Sequence, residues 1–124
     1  MEAFTPQGRI DDSQPVTRTI SREIVALQKK HFGRGPVSVR TYLLDDAILV
    51  LLHGGSATFE RTLADGGGAE LVAPMRAAVN DIVRPEYTAA IERAVGRKVV
   101  GFTSGSQQAT DVESLVFVLE KAAP

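Results

Sequence analysis

The sequence predicts an α+β domain, with a four-stranded antiparallel sheet of two hairpins and helices in the order αββ-α-α(α)ββ. Three observations point there. Stretches of helical apolar spacing are followed by pairs of strand-like stretches, not by single strands. Two helix-to-strand junctions carry the same pair, Gly33-Arg34 and Gly96-Arg97, which suggests a weak internal pseudo-repeat. The chain has 124 residues, enough to bury roughly two-thirds of its unfolded surface in one core but too few for two.

Residues 1–14 mix Gly, Pro, Asp, Ser and Gln and read as a flexible N-terminal arm. The domain follows over 15–121. Ser13 or Gln14 suits a helix cap, and Pro15 suits the first helical position. Ile20, Ile24, Leu27 and His31 then recur at spacings of four, three and four, marking one helical face. Gly33 allows the left-handed closing residue, and Pro36 forbids continuation. Residues 37–44 alternate in strand fashion, Asp45-Asp46 makes a tight turn, and 47–53 forms the second strand. Ser56 or Thr58 opens a short helix to about Ala64, which Gly66-Gly67-Gly68 ends. A helix over 69–84 is expected to bury Leu71, Met75, Ala78 and Ile82, with Val72, Val79 and Val83 beside them. Pro85 kinks it or starts a new helix that runs to Val95. Residues 98–104 form the third strand, 105–111 a polar loop, 112–119 the fourth strand, and 122–124 a short tail.

Composition removes several classes of function. There is no cysteine, which excludes disulfides, thiolate metal sites and thiol catalysis. Fourteen basic side chains against fifteen acidic ones give a net charge of -1, so charge-driven binding to nucleic acid or to an anionic membrane is not expected. The longest apolar run, Ala47–Leu52, has six residues, far from the ~20 of a membrane helix. The acidic, proline-bearing N-terminus does not resemble a secretory signal. These features predict a cytoplasmic protein without direct membrane insertion.

The strongest physical signal is a sheet with two apolar faces. A sheet covered on one side alternates apolar and polar residues. In the second strand Ala47, Leu49 and Leu51 lie on one face and Ile48, Val50 and Leu52 on the other; in the fourth, Leu115, Phe117 and Leu119 oppose Val116 and Val118. Leaving such side chains wet forfeits ~1.5–3 kcal/mol each. The sequence therefore predicts a twofold homodimer, unless the helices of one chain divide between both faces.

Candidate chemistry is sparse. His31 and His53 lack HxH or HExxH spacing, and no metal or other cofactor is expected. Asp45-Asp46 reads as turn-forming. Gly54, Gly55 and Ser56 precede a helix start whose free N–H groups suit an anion such as bicarbonate or phosphate, with Arg34 and Arg97 as cationic helpers. Arg40, Lys98, Gly105, Ser106 and Gln107 are candidates for partner contact. Ser104-Gly105-Ser106 is no nucleophile elbow, since GxSxG is absent.

Several stretches taken in order resemble the MpsC-like family. They are Ile24-Val25-Ala26-Leu27 through His31-Phe32-Gly33-Arg34-Gly35-Pro36, Val39-Arg40-Thr41-Tyr42 with Asp45-Asp46, and Glu60-Arg61-Thr62-Leu63-Ala64. Arg84-Pro85-Glu86-Tyr87, Gly96-Arg97-Lys98-Val99-Val100 and Val116-Phe117-Val118-Leu119 complete the set. The resemblance runs over about 16–120. It implies a small accessory component of a bacterial sodium-linked system that generates membrane potential, whose membrane subunits are related to proton-translocating complexes and inorganic-carbon uptake. No catalytic residues carry over. Where the family often has Ser-Asp-His-His after the third strand, this chain has Ser104-Gly105-Ser106-Gln107, which argues against a metal or proton-relay role there. The expectation is a non-enzymatic, dimeric accessory or regulatory protein, peripheral to the membrane through a transporter subunit or regulatory partner. The alternative is a small-molecule or anion sensor at Gly54–Ser56.

Overall fold

The computed structural model describes residues 14–121; the arm expected over 1–14, except Gln14, and the 122–124 tail lie outside the described residues. Helix α1 spans Pro15–Phe32, with extended Gln14 at its cap and Gly33 closing it at φ 79, its N–H donating to the Lys29 carbonyl at 3.0 Å. Strands β1 (Ser38–Leu43) and β2 (Ala47–His53) form the first hairpin. A short helix α2 (Thr58–Leu63) leads into a wide turn over Ala64–Gly68 and a 3-10 turn over Ala69–Leu71. Helix α3 runs over Val72–Val95 and is closed by Gly96 at φ 70. Strands β3 (Val99–Gln107) and β4 (Val112–Leu119) form the second hairpin.

The sheet order is β1-β2-β4-β3, antiparallel throughout. The two hairpins meet at β2 and β4, with α1 packed on β1 and α3 on β3. This is the arrangement a doubled helix-hairpin unit produces, and Gly33 and Gly96 serve as equivalent left-handed helix ends. Both long helices cover the same face. Ile20 and Ile24 from α1 and Val83, Tyr87 and Ile91 from α3 pack on Ile48, Val50, Leu52, Leu115, Phe117 and Leu119. On the opposite face Ala47, Leu49, Leu51, Val112 and Val116 are half-buried and Val118 is exposed.

Three expectations need correction. Strand β3 continues past Ser104, so Gly105, Ser106 and Gln107 belong to a strand and not to a loop. They pair with Ser114, Glu113 and Val112, because ladder hydrogen bonds hold polar residues as readily as apolar ones. Of the two alternatives open at Pro85, the second helix is not formed: α3 is a single helix, with Pro85 on its exposed side while Val83, Tyr87 and Ile91 stay in the core on either flank. The face expected for α3 is wrong: Leu71 and Ile82 are 49% and 78% exposed, whereas Arg76 and Asn80 are buried. In α1 Ile20 and Ile24 are buried and Leu27 packs against the core as expected, but the stripe ends through Gln28 and Phe32, leaving His31 exposed and bonded to Glu86 at 2.9 Å. Both shifts have one cause. Polar residues of each helix find partners in the interior, so apolar spacing alone misplaces the C-terminal end of the α1 stripe and the face of α3.

Candidate functional site

Beneath α2 lies a buried polar cluster drawn from four elements. Helix α1 contributes Gln28 and Phe32, one turn apart. Helix α3 contributes Arg76, Asn80 and Tyr87, at spacings of four and seven that share one helical face. Helix α2 contributes Glu60. Strand β4 contributes Glu113, at the head of the face that continues with Leu115, Phe117 and Leu119. All of these side chains are nearly inaccessible to solvent.

Arg76 is the centre. Its Nε and Nη2 donate to Glu113 Oε2 and Oε1 at 3.1 and 3.0 Å, a two-pronged pairing. Nη1 donates to both oxygens of Glu60 at 2.7 and 2.8 Å, and Nη2 also donates to Gln28 Oε1 at 3.0 Å. The five N–H groups of the guanidinium are thereby all used. Its carbon lies 3.9 Å from the Phe32 ring centroid, a cation–π contact. The network extends outward from there. Asn80 Nδ2 donates to Glu113 Oε2 at 2.6 Å, Tyr87 Oη to Asn80 Oδ1 at 2.8 Å, and Gln28 Nε2 to Tyr87 Oη at 2.9 Å. The Ala57 N–H donates to Glu60 Oε1 at 2.7 Å.

Electrostatics follow from this arrangement. Burial acts to lower the pKa of Arg76, but hydrogen bonds and charge from Glu113 and then Glu60 outweigh it and raise the pKa. Burial pushes the Tyr87 hydroxyl up, against the hydrogen bond from Gln28. Arg76 is a fixed cation held by two carboxylates, so the three groups carry a formal charge of -1. The cluster binds and orients charge, and its carboxylates already accept from Arg76, Asn80 and the Ala57 N–H.

The residues singled out from sequence fall in several places. The Gly54 N–H donates to the Asp111 carbonyl at 2.9 Å, and the Ser56 N–H and Oγ both donate to Asp111 Oδ1 at 3.2 and 2.8 Å. At this corner the chain's own Asp111 and Glu60 occupy the place of an anion. Gly55 lies against the cluster: a Cβ there would sit 3.8 Å from Arg76 Nη2. Arg34 is exposed at this same end of the sheet. Arg97 is at the other end, donating to the carbonyls of Asp45 and Glu120 and to Asp46 Oδ1. The pseudo-twofold layout sends the two Gly-Arg junctions to opposite ends, so the fold does not bring Arg34 and Arg97 together. Lys98 is exposed beside Arg97, Arg40 is exposed on β1 opposite Leu51, and Gly105, Ser106 and Gln107 lie in β3 toward the Arg34 end.

Sequence reasoning missed the cluster. One signal was available: Glu113 precedes Leu115, Phe117 and Leu119 on a core face, a place where a carboxylate needs a partner. Nothing local names Arg76 as that partner. Among the described residues no group of three or more His, Asp or Glu is placed to hold a metal ion, and no helix is long and apolar enough to cross a membrane.

No curated protein and no solved structure matches the chain. A family model described as the Na+-translocating membrane potential-generating system (MpsC) matches residues 13–121, the span that holds both hairpins, both long helices and the buried cluster. The chain belongs to the MpsC family, which links it to a Na+-linked system that generates membrane potential.

Proposed function

We propose that the chain is a non-enzymatic accessory protein of such a system, acting through protein–protein contact as a twofold homodimer. In this reading it works in the cytoplasm, peripheral to the membrane through a transporter subunit or regulatory partner. The observation that carries the reading is the sheet face opposite the helices. Leu49, Leu51, Val116 and Val118 run across its two central strands. Arg40, on edge strand β1, is the one Lys, Arg, Asp or Glu among the described strand residues of that face. A second copy covering this face keeps like charges away from the twofold axis and removes hydrocarbon from water at about 25 cal/mol per Å2. The buried titratable groups are engaged with one another, which favours a binding role over catalysis. The sensor reading at Gly54–Ser56 draws no support from a corner whose N–H groups already meet Asp111 and Glu60.

Light scattering on the eluting protein tests the dimer. Twice the monomer mass is expected for the wild type, and the monomer mass for a Leu49→Lys variant that keeps its circular dichroism spectrum. A wild-type monomer at all concentrations removes the dimer from the proposal. Crosslinking in membranes that contain the system tests the accessory role, with recovery of one of its membrane subunits as the expected result.

A further inference from the structure

The 54–71 segment is joined to the body in an unusual way. Gly54 opens it with φ 77, and Gly67, at φ 95 inside a wide turn, breaks it ahead of the 3-10 turn over Ala69–Leu71. A Cβ on Gly66 or Gly67 would meet nothing within 4 Å, so packing does not require glycine there. Between these points Thr58, Phe59, Arg61 and Thr62 are exposed, and Glu60 is the residue of α2 that is buried. Leu63 is only half-buried, so the one fully buried side chain of α2 is a carboxylate, and a second carboxylate competes for the same donors.

The other half of the contact does not depend on α2. Arg76 is oriented by Glu113 on β4, by Gln28 on α1 and by the Phe32 ring. Only Nη1 faces Glu60, with both of its N–H groups. When Glu60 leaves, two oriented donors remain on a fixed cation, and the Arg76–Glu113 pair beneath them is neutral. One incoming negative charge restores the balance.

We propose that Arg76 Nη1 is a carboxylate-binding site gated by α2, where a small monocarboxylate displaces Glu60 and frees α2, while Gly54 and Ser56 stay bonded to Asp111. The exchange moves one carboxylate out and one in, so the buried charge is unchanged. It also displaces the exposed Phe59, altering the surface that a partner meets. This site is separate from the sheet face and does not rest on the accessory role.

Hydrogen exchange on the full chain tests the gate, comparing sodium acetate with sodium chloride at equal ionic strength. Acetate is expected to speed exchange of the 57–63 amides several-fold and saturably, with those of 83–91 unchanged. Acetate is also expected to raise the melting temperature of Glu60→Ala, with at least tenfold tighter apparent binding than the wild type, because the competing carboxylate is gone. Identical behaviour in acetate and chloride overturns the proposal, as does rescue of Glu60→Ala with no change in wild-type exchange. If Glu60→Ala does not fold, wild-type exchange alone decides.

Discussion

Arg76 illustrates how one residue's place is decided by remote partners. Its two carboxylates lie 16 and 37 positions away in the chain. Removing one member of a buried ion pair costs about 3–5 kcal/mol, because the remaining charge is left unpaired. Arg76→Met, which strands Glu60 and Glu113, is expected to lose that much in urea denaturation. Gly54 makes a different demand. Its φ of 77 suits glycine, and a Cβ would sit 2.7 Å from Val37 Cγ2. Gly54→Ala is expected to lower stability by about 1–3 kcal/mol in the same measurement. At the surface, Glu86 is held below the usual carboxylate range, chiefly by the hydrogen bond from His31, against a smaller desolvation effect and with added charge from Lys30. A depressed folded-state pKa contributes stability above the unfolded-state value of about 4.5, and that contribution is lost as pH falls through the lower folded-state value. Melting curves across this range are expected to show a deficit for Glu86→Gln near neutral pH that disappears in acid.

At the scale of elements, α3 separates what periodicity reveals from what it hides. The spacing of Leu71, Met75, Ala78 and Ile82 describes a helix correctly and assigns the wrong face. A helix buries the side that its neighbours can satisfy, and here Glu60, Glu113 and Gln28 wait for Arg76 and Asn80. Ile82 and Ile91 make the test, being the same residue type in one helix at 78% and 0% exposure. Thermal or urea unfolding is expected to show less than about 0.5 kcal/mol for Ile82→Ala and about 2–5 kcal/mol for Ile91→Ala. The strands were more legible. Residues 47–53 and 112–119 have the expected bounds, because an apolar run between turn-forming residues marks both of its ends. Composition ends β3 at Ser104, because Gly105, Ser106 and Gln107 resemble a loop, while their backbone pairs with β4.

For the whole molecule, the pseudo-twofold layout places both long helices on one face and leaves the other to the environment. It also separates Arg34 from Arg97, which similarity of local sequence suggested as neighbours. Element order, helix ends at Gly33 and Gly96, and the two-faced apolar character of β2 and β4 were set by the chain's local sequence, since each depends on residues within a turn or a strand of one another. The covered face, the burial of Arg76 and the gathering of Gln28, Glu60, Asn80, Tyr87 and Glu113 around it were decided by tertiary structure alone. A buried charge is tolerated only where distant groups converge to hold it, and that convergence exists only once the hairpins and helices have assembled.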